Sequence, residues 1–195
     1  MSPFLLILVI LPLKAVLSFM KKINSLFFEL VSVLVPAITV IALLFTFCFR
    51  LVGVSGDSMD NTLADGDWLL VMPYYGEPDY GDIIISTQEN SRHENIVKRI
   101  VAMEGDVVDR AEDGTFIRNG EALDETGYII NGDVSGNRYG SATFPLTVPE
   151  NCVFVLGDNR PISLDSRYDG IGFIQEDYLL GKAICRVSSD WNIYE

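Results

Sequence analysis

The chain is poor in the residues that metal sites, disulfide frameworks and nucleic-acid surfaces require. It has one histidine, His93, which stands in a polar stretch and is expected to be a loop residue rather than a ligand or a base. Its three cysteines form no CxxC pair and show no spacing typical of a metal site. These shortages predict a protein that holds no metal and needs no other cofactor.

Positive charge is also scarce beyond the first quarter of the chain. Of 195 residues in all, residues 51–195 hold 26 of the 27 acidic residues but 10 of the 14 basic ones, so 10 minus 26 gives this part a formal charge of −16. Nucleic-acid binding needs clustered lysine and arginine, and this balance therefore argues against nucleic acid as a partner. The length of this part suits one domain with its own core.

Residues 1–50, in contrast, are almost wholly apolar. The 24 residues from Leu26 to Phe49 exceed the roughly 20 that a helix needs to cross a bilayer, so a transmembrane helix is predicted over 26–49. The preceding segment, 1–25, contains a weaker apolar run that is either a short first span or an interfacial helix. A cleavable signal peptide is not favoured, because its positive charge would precede the apolar run rather than interrupt and follow it.

The basic residues of this N-terminal part predict its orientation in the membrane. Positive charge stays on the cytoplasmic side, and the interval 14–25 contains three lysines, whereas Arg50 alone follows the main span closely. This interval is therefore expected to be a cytoplasmic loop, with residues 51–195 on the extracytoplasmic side of the plasma membrane. The three lysines are Lys14, Lys21 and Lys22.

An extracytoplasmic location would permit a disulfide between Cys152 and Cys185. Both residues lie in apolar, strand-like runs, and free cysteine is among the most buried residue types. Two buried thiols are therefore favoured over a disulfide.

The residues after Arg50 show no helical periodicity of useful length. Short runs rich in β-branched residues alternate with glycine and proline turns, which predicts a mainly β, antiparallel, sandwich-like or barrel-like domain. Residues 109–148 are more polar and are predicted to form an inserted β cap on a core made by 50–108 and 149–195. Within the cap, Asn-Gly at 119–120 predicts a hairpin.

Lys98 is the first candidate for chemistry, because it lies in a run of β-branched residues. Alternate residues of a strand share a face, so Ile96 and Ile100 flank its side chain. Apolar surroundings disfavour the ammonium form, and a general base near neutrality needs a lysine pKa lowered from about 10.4 to roughly 7–8. The neighbouring Arg99, on the other face, is expected to point to solvent and keep its charge.

Ser58 is the candidate nucleophile, because it lies in a turn of small residues and a nearby base would activate its hydroxyl. Gly56 lets the backbone turn sharply, and the backbone N–H of Ser58 could face the oxyanion of an acyl intermediate. Taken alone, the motif 54–63 that contains Ser58 would equally suit an ordinary loop.

A third polar motif, 157–170, follows an apolar strand. Asp165 and Arg167 are expected to pair through charge-assisted hydrogen bonds, and the Ser163 hydroxyl could orient the lysine amine without charging it. The alternative is a polar surface turn held by its own side-chain hydrogen bonds.

The three motifs, in this order and behind an N-terminal anchor, together resemble bacterial type I signal peptidases, particularly the compact Gram-positive type. The resemblance implies a signal-peptidase-like antiparallel β catalytic domain, with one or two transmembrane helices, that cleaves signal peptides from exported preproteins. Its partners would be preprotein signal peptides and the lipid bilayer. It implies Ser58 as nucleophile and Lys98 as general base, with Ser163 orienting the amine and Asp165 and Arg167 as a structural pair.

The resemblance also implies shallow substrate pockets for small, Ala-x-Ala-like residues. The residues implied to line them are Val52, Val54, Met59, Leu63 and Val97. Four positions depart from patterns in the family: Asn61 stands where many members have proline, Pro161-Ile162 replaces a polar pair, and glycine at 56 leaves the second oxyanion donor undecided.

Two other functions share features with an enzyme of this kind. Self-cleaving repressor-type proteases use similar chemistry, but they carry a DNA-binding domain and no membrane span. A catalytically silent relative that assists the assembly of surface proteins or pili would be expected to lack the serine or the lysine, and both are present here.

Overall fold

The computed structural model describes residues 3–73, 78–91, 93–129 and 140–187, and the chain divides into two compact units, Met1–Phe47 and Cys48–Glu195. The first unit is one helix, α1, which runs from Pro3 to Phe47. Its part from Met20 to Phe47 has a mean hydropathy of 2.6 and is long and apolar enough to cross a membrane.

Two details of this helix correct the sequence analysis. The predicted loop at 14–25 is wrong, because the helix continues through it. This interval contains neither glycine nor proline, and lysine is a good helix former, so nothing in its local sequence ends the helix. The helix ends at Phe47 rather than at the predicted Phe49.

The second unit contains eleven strands in its described part, which confirms the predicted mainly β class. Seven of them form one antiparallel sheet in the order β1-β2-β11-β3-β4-β9-β10. These strands are β1 (Arg50–Gly53), β2 (Trp68–Met72), β3 (Ile83–Ser86), β4 (Ile96–Met103), β9 (Cys152–Leu156), β10 (Ile174–Gln175) and β11 (Leu179–Val187).

The other four strands form a second antiparallel sheet in the order β7-β6-β5-β8. They are β5 (Val107–Arg110), β6 (Phe116–Arg118), β7 (Glu121–Ala122) and β8 (Leu146–Thr147). The predicted hairpin is confirmed, because β6 pairs with β7 across Asn119 and Gly120, whose φ angles are 55° and 84°. The division into a core and an inserted cap stays a proposal, and residues 130–139 of that cap lie outside the described residues.

The described residues of the second unit form three apolar clusters, and one of them supports the candidate nucleophile. Met59 and Leu63, on either side of the turn that follows Ser58, are each 1% exposed. Burial of such a side chain contributes about 1.5–3 kcal/mol, so the two residues anchor this turn. The buried members of this cluster are Val54, Met59, Leu63, Leu69, Val71 and Ile85.

The cysteines are free thiols, as favoured, but only Cys152 is buried, and Cys185 is partly exposed. The expectation of two buried thiols is therefore wrong for Cys185. This residue lies in β11 at a register shift opposite β2, where the alternation between the two faces of the strand is interrupted.

Candidate active site

The turn that carries Ser58 leaves the end of β1 and is tied to the chain that follows it. The backbone of Val54 exchanges hydrogen bonds with Asp67 and Gly66, at 2.8 and 3.0 Å. Gly56 has a φ of 85°, a left-handed conformation that favours glycine, and its N–H donates to Asp65 Oδ1 at 2.7 Å. The sharp turn predicted before Ser58 is therefore present.

Lys98 lies in the middle of the main sheet, on β4, where it pairs with Ile84 of β3. It is 4% exposed. Its Nζ lies 2.6 Å from Ser58 Oγ and 2.8 Å from the carbonyl oxygen of Val97, and it is hydrogen-bonded to both. The two candidate residues, 40 positions apart in sequence, are thus in direct contact.

Ser163 is also at this site and is 1% exposed. Its Oγ has no hydrogen-bond partner among the described residues, so the contact with Lys98 that the resemblance implies is not made here. Gly157 lies against the same hydroxyl. A Cβ at position 157 would stand 2.2 Å from Ser163 Oγ and 2.4 Å from the carbonyl oxygen of Ser58, and a glycine is required at this close approach.

The predicted pair of Asp165 and Arg167 is present and fully buried. Arg167 donates to the two carboxylate oxygens at 2.7 and 2.9 Å, and it also donates to the carbonyl oxygen of Arg160 at 2.8 Å. The Asp165 carboxylate accepts the N–H of Gly157 at 3.0 Å. Breaking a buried pair costs roughly 3–5 kcal/mol, so this pair holds both ends of the loop 157–167.

Arg99 does not point to solvent, which corrects the sequence analysis. It donates to both carboxylate oxygens of the buried Asp158, at 2.8 and 2.6 Å. Burial lowers the pKa of Arg99, but the hydrogen bonds and the negative charge of Asp158 outweigh it and raise this pKa above its ordinary value. Asp158 also accepts the Thr62 hydroxyl at 2.5 Å. One carboxylate thus joins all three motifs.

Asp158 and Glu125 are buried acids that the sequence analysis did not single out. Asp158 gave a signal, because it stands in the polar motif 157–170, two residues after the apolar run 152–156. Glu125 gave none, although it pairs with Arg160 through contacts of 2.5 and 2.8 Å. This second pair joins the loop 157–167 to the segment after β7.

A groove of about 310 Å³ passes Ser58 and Lys98. Four of the five residues implied to contact substrate line it, namely Val52, Val54, Met59 and Val97. Leu63 does not line it, although it is as deeply buried as Met59 and belongs to the same core cluster. Sequence reasoning missed Glu94, Ile162 and Leu164, which also line the groove.

The groove is bordered by the edge strand of the main sheet. β1 lies at the end of the strand order and, among the described strands, pairs with β2 alone. Such a strand edge can accept a further, extended strand. In the described part of the chain, no group of three or more histidine, cysteine or acidic side chains is arranged to hold a metal ion.

The departure at Asn61 has a structural consequence. Its φ is 85°, whereas proline requires about −65°, and its N–H donates to Asp60 Oδ1 at 2.9 Å. Asn61→Pro is therefore expected to destabilise the protein by about 1–3 kcal/mol, whereas Asn61→Gly should be nearly neutral. Chemical unfolding of the full chain in detergent measures both. Equal stability of the proline variant and the wild type would contradict this backbone conformation.

The family model for signal peptidase, peptidase S26, matches residues 27–188 of the chain. Signal peptidase I of Bacillus licheniformis is 36% identical over 167 residues, which cover 83% of this chain and 88% of that protein. Signal peptidase I T of Bacillus subtilis strain 168 is 34% identical over 168 residues, which cover 83% and 85%. Among solved structures, a signal peptidase I from Enterococcus faecalis V583 is 31% identical, with a TM-score of 0.43, and the match covers 56% of this chain and 98% of that one.

Proposed function

Because the chain belongs to the signal peptidase family, peptidase S26, and is a membrane-associated peptidase that removes signal peptides, we propose that Ser58 and Lys98 are its catalytic residues. The observation that carries this proposal is the 2.6 Å contact between Ser58 Oγ and Lys98 Nζ. A serine hydroxyl is a weak nucleophile until a base accepts its proton. Lys98 is close enough to do so without any rearrangement.

The burial of Lys98 supports its role as the base. Removal of the amine from water disfavours the ammonium form, and we propose that this burial lowers the pKa of Lys98 far enough to leave a neutral amine at working pH. Its second contact, to the carbonyl oxygen of Val97, holds the amine toward Ser58. We propose that the buried Ser163 hydroxyl orients this amine when substrate is bound.

The reaction then proceeds in two steps, acylation of Ser58 and hydrolysis of the acyl-enzyme, and Lys98 accepts and returns one proton in each. Ser58 Oγ attacks the scissile carbonyl carbon and gives its proton to Lys98. As the tetrahedral intermediate collapses, the C–N bond breaks and Lys98 returns the proton to the leaving amine. Water attacks the resulting ester, again with Lys98 as proton acceptor, and the Ser58 hydroxyl reforms while the signal peptide leaves with a free carboxyl group.

The groove supports a preference for small residues before the cleavage site. It has a volume of about 310 Å³, and the catalytic side chains line part of it. Its apolar walls are formed by Val52, Val54, Met59 and Val97. The substrate would enter as an extended strand beside 52–56 and 95–98, so that alternate side chains point into these walls. An Ala-x-Ala sequence satisfies this arrangement.

A preprotein cleavage assay with the full chain in detergent tests this substrate class. The expected product begins directly after Ala-x-Ala, as read by mass spectrometry. Replacement of the last alanine by leucine should lower kcat/KM by about 10–100-fold, because overfilling a packed site costs roughly 1–3 kcal/mol. Cleavage of the leucine substrate at an equal rate would contradict the assignment of the groove.

The side of the membrane is a further part of the proposal. The lysines at 14, 21 and 22 precede or begin the span, and this distribution supports a catalytic domain on the extracytoplasmic side. A protease added to intact cells whose wall has been removed should then degrade this domain. The catalytically silent alternative is not favoured by any observation, because the serine and the lysine are both present and in contact.

A further inference from the structure

Asn159 contacts the backbone on both sides of the Ser58 Cα atom. Its side-chain Nδ2 donates to the carbonyl oxygen of Asp57 at 3.0 Å. Its backbone N–H donates to the carbonyl oxygen of Ser58, also at 3.0 Å. One residue of the loop 157–167 therefore holds the two consecutive peptide units that Ser58 connects.

The first of these contacts fixes the direction of a particular N–H group. A trans peptide unit is planar, and its C=O and N–H point in opposite directions. The amide group of Asn159 holds the Asp57 carbonyl, so it also sets the direction of the Ser58 N–H within the same plane. We propose that Asn159 is a positioning residue that aims the Ser58 N–H at the oxyanion of the tetrahedral intermediate. This inference rests on the proposed role of Ser58.

The position of Asn159 is itself rigidly held. The preceding residue, Asp158, is paired with Arg99, and the following residue, Arg160, is paired with Glu125. Gly157 leaves no space for the loop to approach Ser58 more closely, because even a Cβ there would stand 2.4 Å from the Ser58 carbonyl oxygen. If the amide group is lost, the loop cannot move to replace its contact.

The glycine at position 56 increases the importance of this N–H. Glycine offers no side-chain donor to the oxyanion, and the N–H of Gly56 is engaged by Asp65 at 2.7 Å. Stabilisation of the oxyanion therefore relies on the backbone donor that Asn159 orients. Removing one oxyanion donor in other enzymes costs roughly 10²–10³-fold in kcat, and misdirecting one should cost somewhat less.

Asn159→Ala and Asn159→Asp in the full chain test this inference. Both variants should lower kcat by about 10–100-fold and leave KM within about twofold. The isosteric aspartate presents a carboxylate oxygen to the Asp57 carbonyl in place of the donor, so it tests the same contact even if the alanine variant is poorly folded. Cleavage of a preprotein under saturating and limiting substrate gives both constants.

A pair of matched peptide inhibitors separates oxyanion binding from general loss of structure. A peptide aldehyde ending in Ala-x-Ala can form a hemiacetal with Ser58 and place its oxygen against the Ser58 N–H. The corresponding peptide alcohol binds without that bond. Asn159→Ala should weaken the aldehyde by about the same factor as kcat, whereas the affinity for the alcohol should not change.

Gln88→Ala is the matched control. Gln88 is also a half-buried side-chain amide that joins distant backbone groups, since it donates to the Phe173 carbonyl at 2.9 Å and accepts the Gln175 N–H at 2.8 Å. It does not line the groove. Its loss should lower stability without affecting kcat or the preference for the aldehyde over the alcohol.

The outcomes distinguish the two proposals. The role of Asn159 would be overturned if both Asn159 variants kept the wild-type kcat and aldehyde affinity. It would also be overturned if they bound the aldehyde and the alcohol more weakly by the same factor. In either case the Ser58 assignment stands if Ser58→Ala is inactive. If Ser58→Ala still cleaves preprotein and binds aldehyde as the wild type does, the proposed catalytic pair itself is overturned.

Discussion

Ser58→Ala is expected to reduce preprotein cleavage by at least about 10³-fold, to the limit of detection. The reason is chemical, because alanine has no atom that can form the acyl-enzyme. Removal of the nucleophile from a comparable hydrolase costs about 10⁶-fold in kcat, and the other groups of the site supply only a small residual rate. The neighbouring side chains Met59 and Leu63 remain buried, so the turn itself should be retained.

The stability and the substrate affinity of this variant must be measured alongside its activity. Ser58→Ala should unfold at nearly the wild-type temperature and should still bind the Ala-x-Ala peptide alcohol. Ser91→Ala, which removes a hydroxyl from an exposed loop outside the groove, should cleave at the wild-type rate. A Ser58→Ala variant that retains more than about a tenth of the wild-type rate would contradict the nucleophile assignment.

Lys98→Met is expected to reduce cleavage by a similar factor, at least about 10³-fold, because the Ser58 hydroxyl would lose its proton acceptor. Methionine retains much of the shape of the lysine stem and removes a polar group from a position that is 4% exposed. Burial of polar groups opposes folding, so the variant should be as stable as the wild type or more stable. Lost activity with undiminished stability would mark a residue kept for chemistry.

Lys182→Met provides the matched control for this substitution. Lys182 also lies in a strand of the main sheet, β11, but it is partly exposed and pairs with Asp82. Exposed pairs contribute at most about 1 kcal/mol, so this variant should be slightly less stable and fully active. If Lys98→Met and Lys182→Met were equally active, Lys98 could not be the base. The double variant Ser58→Ala with Lys98→Met should be no less active than either single variant, because the two residues act in one step.

Local sequence patterns predicted the parts of the fold that depend on neighbours in the chain. The apolar segment that contains Leu26–Phe49, the Asn-Gly hairpin and the short β-branched strands each carry their signal within a few residues. The pair of Asp165 and Arg167 was predictable for the same reason, since its members are two positions apart. Ser58 and Lys98 were predicted as a nucleophile and its base from their local surroundings and from the resemblance to a family, and the fold places them in contact.

The features that were missed depend on contacts between distant segments. Arg99 appeared to face solvent because its partner, Asp158, is 59 positions away. Asn159 meets Asp57 across 102 positions, and Glu125 meets Arg160 across 35. Leu63 is apolar and close to Ser58, but its place in the core rather than the groove follows from the direction of the turn. No pattern of residue types along the chain specifies these pairings.

The protonation state of the Lys98 amine is the most direct test of the whole account. The chain has five lysines, so ¹⁵N-lysine NMR of the full chain in detergent, with Lys98→Arg to assign the signal, can follow this amine through a pH titration. We expect a neutral amine at pH 7 that becomes protonated on acidification, as kcat/KM falls over the same pH range. A signal that remains that of an ammonium group through neutral pH, in an enzyme that is fully active there, would contradict it.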